Sequence, residues 1–277
     1  MKKYILTLIM IIATVMAALA QPQTSNQNDS QGHKTGFWLD KLPEGNSSGF
    51  YADDLKEGSW TLRNVANNSL IKLESFVKGK KNGASLDFNQ QGQVTGEKFY
   101  MDDLLEGSVK TFFWGTQVSS LTNYKHGKLD GLKQVYYENS NGKLQEESNY
   151  KDGLKDGESK WFSNTGDPVA VYMYKEGKLD GIQKMYSPGK KLQSEQNYVA
   201  NLESGSYKEY FENGKVKIES TYTNGKQEGK FTEFNADGAK VTEGTYLSGL
   251  QEGKWLSYDK NGKVVKTRKY VKGVEQK

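Results

Sequence analysis

The chain has 277 residues, a formal net charge of +4, 30 glycines, 17 tyrosines and no cysteine, and 35% of its residues are hydrophobic. A nearly neutral chain with only two arginines, Arg63 and Arg268, lacks the basic stripe that nucleic-acid binding requires, so we expect no nucleic-acid partner. The absence of cysteine excludes disulfide bonds and an N-terminal lipid carried on cysteine.

The N-terminus has the pattern of an export signal. Lys2 and Lys3 precede an uncharged run, residues 4–20, that ends in Ala-Leu-Ala at Ala20. This pattern predicts a signal peptide over residues 1–20, cleaved after Ala20, and therefore an exported protein in the periplasm, at the outer membrane surface or in the medium. The alternative is an uncleaved anchor, although the run is at the short limit for spanning a bilayer. Residues 21–35 are polar and aperiodic, which predicts a disordered linker.

A repeat occupies the rest of the chain. One glycine, which we call the anchor glycine, recurs at intervals of 24 to 26 residues: Gly58, Gly83, Gly107, Gly131, Gly157, Gly181, Gly205, Gly229 and Gly253. A fixed period in this range indicates a repeat architecture. The copies over 36–118 are degenerate and those over 119–277 are regular, so we divide the repeats there.

Positions counted from the anchor glycine carry restricted residue types. Position −7 is always Tyr or Phe, and position +5 is aromatic in every copy except the first, which has Arg63. We expect the −7 rings to pack against their equivalents in the next copy. Position −4 holds only Gly, Asn or Asp, the residues that tolerate a left-handed backbone, so we predict a positive φ there, in a turn.

A second turn follows each +5 aromatic, at sequences such as Asn213-Gly214 and Asn261-Gly262. Asn-Gly between short strands predicts a type I′ turn, with positive φ at both residues. Each copy is then a β-hairpin. The predicted fold is all-β: an elongated, single-layer antiparallel meander of tandem hairpins, about nine units of about 24 residues. We expect aromatic side chains on one face and Lys, Glu, Ser, Thr and Gln on the other.

The pattern Tyr-x-x-Gly-x-x-x-Gly-x-x-x-x-(Tyr/Phe) resembles MORN repeats of the bacterial variant form. The resemblance covers residues 50–275 and assigns structural roles to Tyr124, Gly127, Gly131, Tyr136, Tyr174, Gly177, Gly181, Tyr186, Tyr222, Gly225, Gly229, Phe234, Tyr246, Gly249, Gly253 and Tyr258. It implies one hairpin per repeat and an association with protein scaffolding or membrane lipid. Many bacterial variants are labelled antitoxins, which conflicts with export because an antitoxin meets its toxin in the cytoplasm.

Residues suited to catalysis are scarce. The two histidines are His33, in the predicted linker, and His126, in a predicted turn. An acidic residue recurs at position −1, as Glu57, Glu106, Asp130, Asp156, Asp180, Glu228 and Glu252. One ladder of equivalent carboxylates lacks the two distinct environments of an acid and a base, so we interpret it as turn side chains on a solvated edge. We expect no catalytic residue, no metal site and no cofactor.

The leading hypothesis is a non-enzymatic exported protein whose sheet binds an unidentified protein partner in the cell envelope. The alternative is attachment to anionic lipid or to cell-wall glycan. Lys80, Lys128, Lys178 and Lys226 would serve lipid attachment, although nearby acids offset their charge. The five tryptophans follow no common position, which disfavours a repeated glycan platform. Local function should lie where copies depart from the pattern, in the degenerate units between Trp60 and Trp114 and at the variable exposed positions between anchor glycines.

Overall fold

A computed structural model describes residues 25–114 and 116–277 of the chain, which divides into two compact units, Met1–Leu129 and Asp130–Lys277. The predicted signal peptide and residues 21–24 of the predicted linker lie outside the described residues. The described part contains strands and turns without a helix, and none of it is an apolar helix long enough to cross a membrane.

The first unit is built from strands that pair antiparallel with their chain neighbours. Its strands are β1 (Gln27–Asn28), β2 (Lys34–Leu42), β3 (Gly45–Ala52), β4 (Leu55–Arg63), β5 (Leu70–Val77), β6 (Lys80–Phe88), β7 (Val94–Met101), β8 (Leu104–Leu105), β9 (Gly107–Phe112) and β10 (Val118–Lys125). β1 and the start of β2 lie within residues 25–35, the part of the predicted linker that the structure describes.

The second unit has the same antiparallel neighbour pairing. Its strands are β11 (Lys128–Tyr136), which starts two residues before the boundary, β12 (Leu144–Lys151), β13 (Leu154–Phe162), β14 (Pro168–Lys175), β15 (Lys178–Leu179), β16 (Gly181–Ser187), β17 (Lys191–Val199), β18 (Leu202–Tyr210), β19 (Val216–Thr223), β20 (Lys226–Gln227), β21 (Gly229–Phe234), β22 (Lys240–Leu247), β23 (Leu250–Tyr258), β24 (Val264–Val271) and β25 (Val274–Gln276). The predicted all-β fold of antiparallel tandem hairpins is confirmed.

Positions −5 and −4 form a two-residue turn, which we call the tight turn. Between β14 and β15, Lys175 pairs with Lys178, and φ is +50° at Glu176 and +80° at Gly177. Two consecutive positive φ angles define a type I′ turn, whose twist matches that of paired strands. The positive φ predicted for position −4 is confirmed at Asp54, Gly79, Asp103, Gly127, Gly153, Gly177, Asn201, Gly225, Gly249 and Gly273.

We call the second turn of each copy the wide turn. Asn141-Gly142 has the predicted positive φ at both residues (+54° and +78°), and the other Asn-Gly and Asp-Gly pairs differ from the prediction. The amide of Phe211 donates to the carbonyl of Lys215 at 2.9 Å, which closes a five-residue loop. Within it φ is positive at Gly214 (+81°) and not at Asn213. The predicted type I′ turn is wrong at Asn213-Gly214, Asp237-Gly238 and Asn261-Gly262. A five-residue loop needs only one left-handed residue to reverse the chain.

The anchor glycine lies in a β-bulge. Between β12 and β13, residues 156–158 lie opposite Asn149 alone. All nine anchor glycines have φ between +67° and +108°. Steric contact with a neighbour does not explain why all nine anchor positions are glycine, because a Cβ at Gly58 or Gly253 would meet nothing within 4 Å. The shared requirement is the backbone conformation, which side chains rarely adopt.

Alternation along the strands assigns positions −11, −9, −7, +2 and +4 to one face, the tyrosine face, and positions −6 and −3 to the opposite face.

Shielded side chains among the described residues are few. The apolar ones are Trp60, Phe76 and Val109 in the first unit and Ala170, Trp255 and Tyr270 in the second. Shielded polar side chains are more numerous and include Ser47, Ser85, Thr122, Ser148, Ser159, Gln183, Gln196, Ser220 and Thr232.

Candidate binding surface

The −7 rings pack against position +2 rather than against their own equivalents. The ring centroid of Trp255, at +2, lies 5.2 Å from that of Tyr246 and 6.2 Å from that of Tyr270, both in edge-to-face geometry. In the first unit Trp60 lies between Tyr51 and Phe76 in the same way, at 4.9 Å and 6.4 Å. The expected contact between −7 rings is therefore wrong in these hairpins, because a +2 ring occupies the space between them.

Three tryptophans share a position, contrary to the sequence interpretation. Trp60 and Trp255 both stand at +2, and Trp38 stands two residues after Gly36. Across the hairpin, position −9 is glycine in both shielded cases: a Cβ at Gly49 would overlap the indole of Trp60, and one at Gly244 would overlap that of Trp255. The eleven-residue spacing from glycine to tryptophan was the signal in the sequence for this pair.

The repeat residues singled out from the sequence take backbone and packing positions. Tyr124, Tyr174, Tyr222 and Tyr246 lie on the tyrosine face; Gly127, Gly177, Gly225 and Gly249 lie in tight turns; Gly131, Gly181, Gly229 and Gly253 lie in bulges; and Tyr136, Tyr186, Phe234 and Tyr258 lie at or near strand ends. Burial raises the pKa of Tyr174, Tyr222 and Tyr246. Their hydroxyls therefore stay protonated near neutral pH, which makes them unsuited to act as bases.

The −1 carboxylates connect one repeat to the next. Glu228 accepts a hydrogen bond from the amide of Ser248 at 2.7 Å, and Glu252 accepts one from the amide of Lys272 at 2.8 Å. The same bond, which we call the carboxylate link, joins Glu57 to Lys78, Glu106 to His126, Asp130 to Asp152, Asp156 to Glu176, and Asp180 to Ala200. In each case the donor is the −5 amide of the next tight turn, 20 to 22 residues later in the chain. The sequence interpretation, a solvated turn side chain, missed this role.

Aliphatic side chains line the tight-turn edge of the opposite face. They stand at positions −6 and −3, beside the turns, and are between 41% and 65% exposed. We call them the edge row: Leu55, Val77, Met101 and Leu104 in the first unit, and Leu154, Val199, Leu202, Leu247, Leu250, Val271 and Val274 in the second. The expectation that this face is polar is wrong at this edge. The signal was present in the sequence as apolar residues on both sides of the tight turn.

Leucine and lysine alternate at position −3 of successive copies. A leucine there covers the glycine of the next tight turn: a Cβ at Gly177 would lie 3.5 Å from Leu154, and one at Gly273 would lie 3.4 Å from Leu250. The lysines that we considered for lipid attachment, including Lys178 and Lys226, occupy the intervening copies. The edge therefore presents apolar and basic side chains in turn rather than a continuous basic stripe.

His126 stands at position −5 of a tight turn, and His33 lies beside Asp29 just before β2. His126 has a 73% exposed side chain, with Nδ1 3.6 Å from the carboxylate of Glu106. The structure does bring ligand atoms of Asp29, His33 and Asp53 within 4.8 Å of one another. The amides of His33 and Gln31 donate to the Asp29 carboxylate and lower its pKa. These hydrogen bonds account for the loop geometry, and we assign no metal to it.

The family described as MORN repeat variant matches residues 129–152, 179–200, 203–224 and 251–272, together about a third of the chain. The chain carries MORN repeats. Each matched segment runs from position −2 of one copy to position −5 of the next. A MORN segment such as 251–272 therefore contains both Glu252 and Lys272, the two ends of a carboxylate link. No matched segment lies within the degenerate MORN-like region, residues 36–118.

Other comparisons add little to the MORN assignment. No curated protein matches the chain. A structure of TcdB2-TccC3 covers 77% of this chain at 11% identity with a TM-score of 0.16, and a Tc holotoxin pore of Photorhabdus luminescens covers 80% at 11% identity with a TM-score of 0.18. The chain spans 16% of the length of those chains. Similarity this low carries no argument about shared fold or function.

Proposed function

We propose that this MORN-repeat chain is a non-enzymatic protein whose sheet binds another protein, and that it acts in the bacterial cell envelope after export. The observation that carries the proposal is the edge row. Its members recur at equivalent positions beside the tight turns, with lysines at position −3 of the intervening copies. Exposed aliphatic side chains that recur at one edge, here in alternation with lysines, are a feature of interaction sites.

The geometry of the edge row suits a repetitive partner surface. Strands in a sheet lie about 4.8 Å apart, so equivalent residues of successive hairpins are about 10 Å apart and those of alternate copies about 19 Å apart. Val199 and Leu202 flank one tight turn, and Leu247 and Leu250 flank the equivalent turn two copies later. A partner with aliphatic groups at that spacing, and with acids opposite Lys226 between them, would complement this edge.

The non-enzymatic part of the proposal rests on how the polar groups are used. The −1 carboxylates that are drawn into carboxylate links hold backbone amides, and the −7 tyrosines pack on the tyrosine face. Groups already committed to the backbone or to packing are unavailable as a general acid and base. MORN repeats fit this use as a scaffold or binding surface.

The proposed location rests on the sequence of residues 1–20 alone. N-terminal sequencing of the protein from an envelope fraction tests it directly. A mature chain that begins at Gln21 supports export, whereas an intact Met1 in a cytoplasmic fraction contradicts it. An intact Met1 in the cytoplasmic fraction would also be consistent with an antitoxin role, which requires the cytoplasm.

Photo-crosslinking in the native host tests the edge row. A crosslinking residue at Leu202 or Leu250 should yield a discrete protein adduct, and one at Met185, on the tyrosine face, serves as the matched control. Equal labelling at all three positions, or none at Leu202 and Leu250, contradicts the proposal. Binding to anionic vesicles that is lost in Lys178→Glu and kept in Leu202→Glu would favour the lipid alternative instead.

A further inference from the structure

Three consecutive wide turns of the first unit form a cleft where the copies depart from the repeat pattern. The cleft has a volume of about 440 Å³ and is open to solvent. It is lined by Asn64, Ser69, Ile71, Phe88, Asn89, Gln90, Gln91 and Trp114. The volume lies within the range of small-molecule sites. The wide turns close the sheet edge opposite the tight turns, so this cleft is independent of the edge row and does not rest on the proposed function.

Trp114 gives the cleft an unpaired aromatic surface. Its side chain is 71% exposed, whereas Trp60 in the same unit is 2% exposed and Trp255 is 7% exposed. An indole left in water needs a reason, because burial of a ring contributes more than that of most side chains. Its flat face is available to a ligand with an apolar side.

The rest of the lining supplies neutral hydrogen-bonding groups. Asn64 and Asn89 use their side-chain oxygens to hold the turns: Asn64 accepts from the amide of Ala66 at 2.8 Å, and Asn89 accepts from the amide of Gln91 at 3.0 Å. The carboxamide side chains of Gln90 and Gln91 form no hydrogen bond with any described residue. Each carboxamide offers two donor hydrogens and an acceptor oxygen.

The lining contains no charged residue, although 26% of the whole chain is charged. An ionic ligand would find no counter-charge in the cleft, so the ligand should be uncharged. A proline-rich peptide normally docks across several aromatic side chains, and here only Trp114 exposes most of its ring.

We propose that this cleft binds a neutral saccharide. One sugar ring stacks its C–H face on Trp114, and its hydroxyls exchange hydrogen bonds with the carboxamides of Gln90 and Gln91. This arrangement matches the usual composition of ligand sites, an apolar surface with a few placed polar groups. It differs from the periodic tryptophan platform considered from the sequence, because a single ring at an irregular turn carries the contact.

Calorimetric titration of the purified chain with chitotriose, cellotriose and maltotriose tests the proposal. At least one should bind, and Trp114→Ala should weaken that binding about tenfold or more, the scale expected for loss of a ring contact together with its buried area. Gln91→Ala should weaken it less. The matched control is Phe99→Ala, which removes another exposed ring of the same unit, 41% exposed, outside the cleft.

Three outcomes overturn the proposal. They are no binding of any of the three saccharides at about 10 mM, equal affinities of the wild type and Trp114→Ala, and binding only of a glucuronic-acid oligosaccharide or of a proline-rich peptide. An unchanged circular dichroism spectrum and melting temperature of Trp114→Ala establish that a loss of binding is local. Crosslinking at Leu202 tests the edge row, and saccharide titration tests the cleft. Either proposal can therefore fail without affecting the other.

Discussion

Two hairpins of the second unit share one backbone pattern but differ in their interior side chains, which are apolar in one and polar in the other. The tryptophan hairpin, β22 and β23, places Gly244 at −9 and Trp255 at +2. The serine hairpin, β12 and β13, places Ser148 and Ser159 at the same two positions, both 0% exposed. Both hairpins keep the bulge and the tight turn. The turns and bulges thus define the repeat, and the interior of each hairpin is free to vary.

The two interiors also differ in electrostatics. Around Trp255 the neighbours are rings, with Phe231 at 5.4 Å and Tyr246 at 5.2 Å. Beside Ser148 lies Glu146, with ammonium groups of Lys133 and Lys155 at 3.2 Å and 3.4 Å. The first interior gains stability from apolar burial, and the second from the hydrogen bond and ion pairs of Glu146. The following predictions test that difference.

The largest effect should come from Trp255→Ala, which removes a nearly buried indole and leaves a gap between Tyr246 and Tyr270. We expect a loss of about 3–5 kcal/mol in the free energy of unfolding. Urea denaturation followed by far-ultraviolet circular dichroism measures it. A loss below about 1 kcal/mol would show that the ring contributes little and that the contrast between the two hairpins is superficial.

The next effect should come from Gly244→Ala, whose methyl group would overlap the Trp255 indole. We expect a loss of about 1–3 kcal/mol from overpacking. In Trp255→Ala the added methyl should cost almost nothing, so the double mutant should be strongly non-additive. Gly96→Ala is the control, because its methyl would meet only the movable carboxylate of Asp87. Additive losses would contradict the assigned contact.

The serine hairpin should lose stability in acid. Burial alone would raise the pKa of Glu146, but the hydroxyl of Ser148 and the ammonium groups of Lys133 and Lys155 bring it below its ordinary value. A carboxyl with a lowered pKa in the folded state stabilises the fold fully above its unfolded pKa, and the contribution is lost as the pH falls through the lower, folded pKa.

Glu146→Gln should therefore cost about 1 kcal/mol at neutral pH and flatten this acid dependence of the melting temperature. Glu158→Gln is the matched control, since its 41% exposed side chain pairs with Lys160 near solvent and should contribute little. Equal acid dependence of the wild type and Glu146→Gln would contradict the assignment.

The smallest effects on stability should come from replacing the two buried serines, and the two replacements should differ. Ser148 donates a hydrogen bond to Glu146 at 2.8 Å, whereas the Ser159 hydroxyl has no hydrogen-bond partner in the described part of the chain. Ser148→Ala should cost about 1 kcal/mol, and Ser159→Ala should be neutral or stabilising, because it removes a buried hydroxyl that is not satisfied. Urea midpoints measured side by side decide the order, and the reverse order would contradict it.

Local backbone requirements could be predicted from the sequence because they restrict residue type. Position −4 admits only Gly, Asn and Asp, and all ten copies have a positive φ. The wide turn was predicted wrongly because Asn-Gly fits both a two-residue turn and a longer loop. The distinction lies in where the strands pair, which a dipeptide such as Asn213-Gly214 does not encode.

Contacts across a hairpin were harder to predict. The match between Gly244 and Trp255 depends on a bulge that shifts the register, so the two residues cannot be aligned without the pairing. The carboxylate link was missed for a different reason. Its acceptor can be found in the sequence as the acid at position −1. Its donor is a backbone amide, which does not restrict the residue type at position −5. The same holds for the cleft, whose lining comes from three separate turns.

The donor of the carboxylate link has a consequence for how such a chain can change over generations. Position −5 is occupied by residues as different as Lys78, Ala200 and Ser248, because every residue except proline carries the amide that the link uses. When copies are added by tandem duplication or lost by deletion, a copy with an acid at position −1 would meet its new neighbour with the same bond already available. Of the four prolines in the chain, none stands at position −5.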